Sequence, residues 1–191
     1  MKLSSRQFFT ASAAALAFGL VFVAFAQIIT PEEAAERNTK LAKNAKVLTA
    51  GVLMYASDYD QITISSPDWT KKIIPYIGKE EVMTNPWRPG VRHAFGLNKG
   101  YAGIHARSFE NADRLVMVFS TKAASPSSSG GAADLWRPAG YQKGAIGYAD
   151  THVKFYTKLN KIKADWKPIS GSGKKKAASA KQAAPSKKAK P

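Results

Sequence analysis

The chain has 191 residues, no cysteine, 45% hydrophobic residues and a formal net charge of +16. Disulfides, thiolate metal sites and a cysteine nucleophile are thereby excluded, and the hydrophobic content excludes wholesale disorder. The excess charge is concentrated in a terminal stretch bearing Lys174, Lys175, Lys176, Lys181, Lys187, Lys188 and Lys190 and no acidic residue, which makes it the candidate for binding anionic polymers.

In chain order, Lys2 and Arg6 precede an apolar run from about Ala11 to Phe25 that closes on Ala24-Phe25-Ala26. This pattern predicts a signal peptide over residues 1–26, cut between Ala26 and Gln27. The run is shorter than the roughly 20 residues of a spanning helix, so membrane attachment is expected only if the leader stays uncleaved. Ser5-Arg6-Gln7-Phe8-Phe9 resembles a twin-arginine signal but has one arginine, which favours the general export route. The expected location is periplasmic or extracellular.

Thr30-Pro31-Glu32-Glu33 predicts a helix start, with Thr30 as cap, Pro31 at the first helical position and Glu33 closing a capping box. Leu41, Ala45, Leu48, Val52, Tyr55 and Tyr59 recur in steps of three and four, predicting one helix of about 44 Å to near Tyr59 with these residues inward. Lys40, Lys43, Asn44, Lys46 and Ser57 are expected to face water. A second, short helix should be capped by Ser66, opened by Pro67, buried through Trp69, Ile73 and Ile74, and stopped by Pro75 and Gly78. Asn85-Pro86-Trp87-Arg88-Pro89-Gly90 reads as a rigid turn-rich connection.

Strands are expected at 93–98, at 114–120 in the centre of a sheet, and in a closing hairpin of 145–149 and 152–157 joined at Asp150-Thr151. Residues 122–140, with Ser-Pro-Ser-Ser-Ser-Gly-Gly, read as a long surface loop. The order gives an α+β fold, a long N-terminal helix packed on a small antiparallel sheet, over residues 30–160. Residues 161–191 form an expected lysine-rich disordered tail, with Trp166 and Ile169 docking loosely at its start.

Little chemistry is encoded. His93, His105 and His152 fit no zinc spacing, and there is no Gly-x-Ser-x-Gly elbow. Gly171-Ser172-Gly173-Lys174 imitates a phosphate loop, but Pro168 stands where the first glycine belongs. Asp58, Asp60 and Asp150 lie at a helix end and in a turn, where aspartate serves local structure. Trp87, Trp136, Tyr141 and Tyr148 with Arg88, Arg92 and Arg137 would suit stacking on sugars or bases, against the simpler expectation of core packing. No catalytic residue is assigned; a secreted hydrolase is the third reading, behind a structural role and a polyanion binder.

Several segments in order resemble the soluble domains of type II secretion pseudopilins and type IV pilin-like proteins. They are Leu53-Met54-Tyr55-Ala56-Ser57-Asp58-Tyr59-Asp60 closing the helix, Trp69 through Pro75-Tyr76, Phe95-Gly96-Leu97-Asn98, the apolar strand Leu115–Ser120, and Tyr148-Ala149-Asp150-Thr151-His152-Val153-Lys154-Phe155. The last is similar to the family's Phe-Ala-Asp-Gly-His-Val-Lys-Phe. The resemblance covers residues 31–158 and implies a pilin-like fold and a structural or adaptor role among envelope or secretion proteins. Residues 1–30 lack the Gly-Phe-Thr-Leu-Ile-Glu type motif cut by the prepilin peptidase. Gly140 and Thr151 stand where the family commonly has histidine and glycine. Some pseudopilins bind calcium through loop carboxylates, which here implies Asp134 and Asp150 as metal ligands; no other cofactor is expected.

Overall fold

The computed structural model describes residues 29–65, 67–106, 109, 111–162 and 164–166. The signal peptide with its Ala26–Gln27 cleavage point, Ser66, Ile169 and all seven tail lysines lie outside the described residues. The chain divides into two compact units, Met1–Arg37 and Asn38–Pro191. Helix α1 (Pro31–Asp58) begins in the first. There the expected capping box is complete: the Glu33 amide donates to Thr30 Oγ1 and the Thr30 amide to Glu33 Oε2, both at 3.2 Å.

In the second unit, α1 buries Leu41, Ala45, Leu48, Val52 and Ala56, the expected stripe with Ala56 as its last member. Tyr55 is only half-buried and Tyr59 exposed, because the helix ends at Asp58 and the two rings stack on each other instead of on a sheet. Asn44, expected to face water, is buried. It sits at the margin of the stripe, and its Nδ2 donates to the Thr84 carbonyl at 2.8 Å, so its amide is matched where an unpaired one would be costly. Lys40, Lys43, Lys46 and Ser57 are exposed.

Helix α2 (Trp69–Ile77) packs against α1 where Gly51 has no side chain; a Cβ there would stand 2.6 Å from Ile77 Cγ2. Pro75 does not stop α2. It lies inside, since its ring fixes a helical φ and sacrifices a single hydrogen bond so near the end. Gly78, at φ +73°, makes the stop, and Ile77 takes the buried place expected for Ile74, which is 40% exposed. Trp69 is fully buried and its Nε1 donates to the Ser128 carbonyl at 2.8 Å.

The sheet has five strands: β1 (Phe95–Asn98), β2 (Val116–Ser120), β3 (Ser129–Gly130), β4 (Gly144–Tyr148) and β5 (Val153–Tyr156), in the order β3-β1-β2-β4-β5. It is mixed, not purely antiparallel, because β3 pairs parallel to β1. Residues 122–140 are accordingly no simple loop. They carry β3, a 3₁₀ turn at Ala132–Asp134 and the buried Leu135, which bridges to Thr121.

Helix α1 covers one sheet face. A Cβ on Gly147 would land on Thr49 Oγ1 and 3.3 Å from the Ala45 carbonyl oxygen, so helix and strand approach as closely as glycine permits. The other face holds Val116, Phe119, Leu135, Ile146, Tyr148 and Tyr156, with Leu159, Ile162, Ala164 and Trp166 packed against them. Trp166 meets Phe119 edge-on at 5.2 Å between ring centroids, and Asp165 exchanges backbone hydrogen bonds with Arg114 and Val116. These residues, placed by sequence in the tail, are thus part of the fold.

The β4–β5 connection is a three-residue loop. The Thr151 amide donates to the Tyr148 carbonyl and the Tyr148 amide to the His152 carbonyl, with Thr151 at φ +70°. This is a type I turn followed by a left-handed bulge residue, a place suited to glycine and strained for a β-branched side chain. Thr151→Gly should therefore raise the urea midpoint, gaining about 1 kcal/mol after the entropic cost of glycine. An unchanged or lower midpoint would show that the Thr151 backbone is not strained.

Candidate functional site

The expected metal ligands are placed apart in the chain and separately engaged. Asp134 ends the 3₁₀ turn, accepts from the Gly131 amide at 3.1 Å and lies 3.7 Å from Lys122 Nζ. Asp150 sits in the hairpin loop and accepts from the His152 amide and from the imidazole Nδ1 at 3.1 and 2.5 Å. Among the described residues no three His, Cys, Asp or Glu side chains gather to hold a metal.

The hairpin pair has the residue types of an acid–base couple, but its geometry serves structure. The His152 ring stacks on Tyr148 at 4.2 Å and 5°, and Lys154 Nζ stands over the Tyr148 ring at 5.1 Å from its centroid. The His152 Nε2 atom is buried, and Nδ1 faces Asp150. Asp150 and His152 fasten the loop. Burial, then the Asp150 and Asp165 charges, hold the Tyr148 phenol above its ordinary value.

The proposed aromatic–basic set does not assemble as a surface. Trp87 and Tyr148 are core residues, Trp87 donating through Nε1 to Asn38 Oδ1 at 3.1 Å. Arg88 turns inward to the Thr121 and Lys122 carbonyls and lies 5.6 Å from the Trp136 ring. Burial lowers its guanidinium below the ordinary value. Tyr156, whose phenol burial pushes up, donates beside it to the Ser120 and Trp136 carbonyls. Tyr141 stands exposed, as do Arg92 and Arg137.

A different aromatic group is presented to solvent, at the end of α1. Tyr55 and Tyr59, one turn apart, stack at 4.3 Å and 17°, and Tyr76 from α2 meets Tyr55 edge-on at 6.1 Å. The Tyr76 hydroxyl donates to Asp58 Oδ2 at 2.8 Å. Asp60 and Gln61, both at positive φ, turn the chain back so that the Ile62 amide reaches the Tyr59 carbonyl. Tyr59 is 55% and Ile62 45% exposed, and Asp58 and Asp60 are exposed with them. The result is a rigid π-rich face with an anionic rim, suited to aromatic or cationic side chains of a partner. The sequence reading turned Tyr55 and Tyr59 inward. The signal that would have found the face is the pair of bulky tyrosines in the last turn beside Asp58 and Asp60, where the apolar stripe runs out.

The phenols give a measurable signature. The bond to Asp58 pushes Tyr76 up to about 12, and burial, then Asp165, pushes Tyr101 up to about 12, both from 10.0. An absorbance titration should find at least three phenols, those of Tyr76, Tyr101 and Tyr156, protonated until about pH 12. For Tyr101 the unfolded chain releases the proton near pH 10.0 and the folded chain only near 12, so stability falls as pH rises across that window. Tyr101→Phe should flatten the fall; an equal slope in the variant would refute the assignment.

No helix of the described residues is long and apolar enough to cross a membrane. Compared with protein-family models, curated proteins and solved structures, the chain matches none.

Proposed function

We propose that this chain is an exported, pseudopilin-like structural or adaptor protein of the cell envelope or secretion apparatus, docking on a protein partner through the tyrosine face that ends α1. The observation that carries the reading is the element order: each segment that resembles the family occupies an element or element end of one α+β body. Leu53–Asp60 closes α1, Trp69–Tyr76 forms most of α2, Phe95–Asn98 is β1, and Tyr148–Phe155 spans the closing hairpin. The packing agrees with a binding role, since the titratable pair in the hairpin fastens a loop.

Two measurements test it. N-terminal sequencing of the protein from envelope, supernatant and cytoplasm should find a start at Gln27 in an exported fraction; an intact leader confined to the cytoplasm would overturn export. A photo-crosslinking residue at position 59 in cells should give a discrete adduct with an envelope or secretion protein, absent when it is placed at the solvent-facing Lys46. Equal labelling from both positions would overturn the docking role.

A second reading is supported by the seven lysines after Gly171, with no acidic residue among them: an envelope polyanion binder acting through its tail. Binding to an anionic polymer should then weaken steeply with salt and vanish on deletion of residues 171–191. Undiminished binding by the truncated chain would remove it.

A further inference from the structure

The closing hairpin differs in charge from the rest of the described body. Over residues 135–162 the single acidic residue is Asp150, bound to His152, against Arg137, Lys143, Lys154, Lys158 and Lys161. Most other lysines share their segment with carboxylates. Lys40, Lys43 and Lys46 are in the same helix as Glu32, Glu33 and Glu36, Lys71 and Lys72 follow Asp68, Lys79 adjoins Glu80 and Glu81, and Lys122 lies 3.7 Å from Asp134.

Two of the hairpin lysines are held in place without being neutralised. Lys143 Nζ stands 5.4 Å from the centroid of the Phe155 ring, and Lys154 Nζ 5.1 Å from that of Tyr148. A ring draws an ammonium group through its quadrupole and leaves the positive charge to act outward, where a carboxylate would cancel it. Ordering before binding also removes part of the side-chain entropy cost of a later contact. β5 pairs with β4 alone, so its outer side is open. Strand alternation sets Phe155 and Lys143 on one face of that edge and Lys154 on the other. Lys158 and Lys161 continue the positive margin past the strand end, exposed like Lys154. Apolar surface lies among these charges: Phe155 is 42% exposed, and Tyr141, two residues before Lys143, is 78% exposed.

We propose that this β5 edge binds an acidic polysaccharide, with Lys143, Lys154, Lys158 and Lys161 meeting its carboxylates and Phe155 and Tyr141 packing against the apolar faces of its sugar rings. A row of uncancelled ammonium groups suits an anion of repeated charge, since a lone carboxylate engages only part of it. Exposed rings set between the charges fit a polymer whose charged groups alternate with apolar ring faces. The choice of a polysaccharide over a nucleic acid rests on the exported location proposed above. The site lies on the folded body and does not depend on the lysines after Gly171.

The test is lysine acetylation footprinting of the full chain, read by mass spectrometry, with polygalacturonate as the probe. At low salt the polymer should slow acetylation of Lys154, Lys158 and Lys161 about fivefold and leave Lys46 and Lys71 unchanged, and high salt should remove the protection. Phe155→Ala keeps every charge and should reduce the protection about twofold. Protection confined to residues 174–190, equal protection of Lys46 and Lys71, or an unchanged footprint in Phe155→Ala would overturn the proposal. Single-stranded DNA should protect the edge lysines less than the polyuronate does; equal protection would overturn the assignment to a polysaccharide. Failure of the export reading is separate: it would appear as an intact leader confined to the cytoplasm, whatever the footprint gives.

Discussion

Trp69→Ala should cost about 4 kcal/mol and lower the thermal midpoint by roughly 14 °C. Trp69 is fully buried, at the start of α2 beside Ile73 and Ile77. Its removal would leave a cavity too large for a nine-residue helix to close over, and the Ser128 carbonyl would lose the indole N–H that reaches it at 2.8 Å. Trp69→Phe separates the two contributions: the ring keeps much of the volume but not the donor, so the expected loss is about 1–2 kcal/mol. Urea unfolding of both variants checks the assignment. A Trp69→Ala loss below that of Trp69→Phe would mean the indole is not the packing centre of α2.

Gly147→Ala is the second large effect, at about 3 kcal/mol, although it adds one methyl group to a strand. That methyl would strike Thr49 Oγ1, which is fixed by donating to the Ala45 carbonyl at 2.8 Å, and that same carbonyl oxygen lies 3.3 Å from the new carbon. One obstacle is a side chain and the other is helix backbone, so the strain can be relieved only in part. Thr49→Ala in the same molecule should recover more than half of the loss, appearing as a favourable coupling in a double-mutant cycle. Additive losses would place Gly147 away from α1.

How far the sequence could be read depends on how many residues carried each signal. The capping box at Thr30 and Glu33 and the stripe from Leu41 to Val52 extend over many turns, and both are present in the helix. The hairpin was legible from the alternation around Asp150 and Thr151, within a residue or two of its strand ends. Strand β3 was not: two residues, Ser129 and Gly130, carry no period, and their pairing with Leu97 and Asn98 depends on distant chain. Asn44 misled because an amide at the margin of an apolar stripe looks solvated until its partner, the Thr84 carbonyl, is known. The tyrosine face misled in the opposite sense. Aromatic residues in helical register look like core, and only the stop at Asp58 and the turn through Asp60 and Gln61 leave them outside. Trp166 was expected to dock loosely, and its partner could not be read because Phe119 is on a strand distant in the chain.

The two outer strands bear on how such a protein can associate. β3 is only two residues long, and β5 is four residues with Lys154 exposed at its middle and the exposed Phe155 ring attended by Lys143 at 5.4 Å. A two-residue margin on one side and a short, lysine-bearing one on the other are poor templates for the backbone of another chain. The sheet is thereby guarded against growing by strand addition into fibrous aggregates. Association of this protein falls to side chains on its surface, where single residues can tune it without disturbing the ladder beneath.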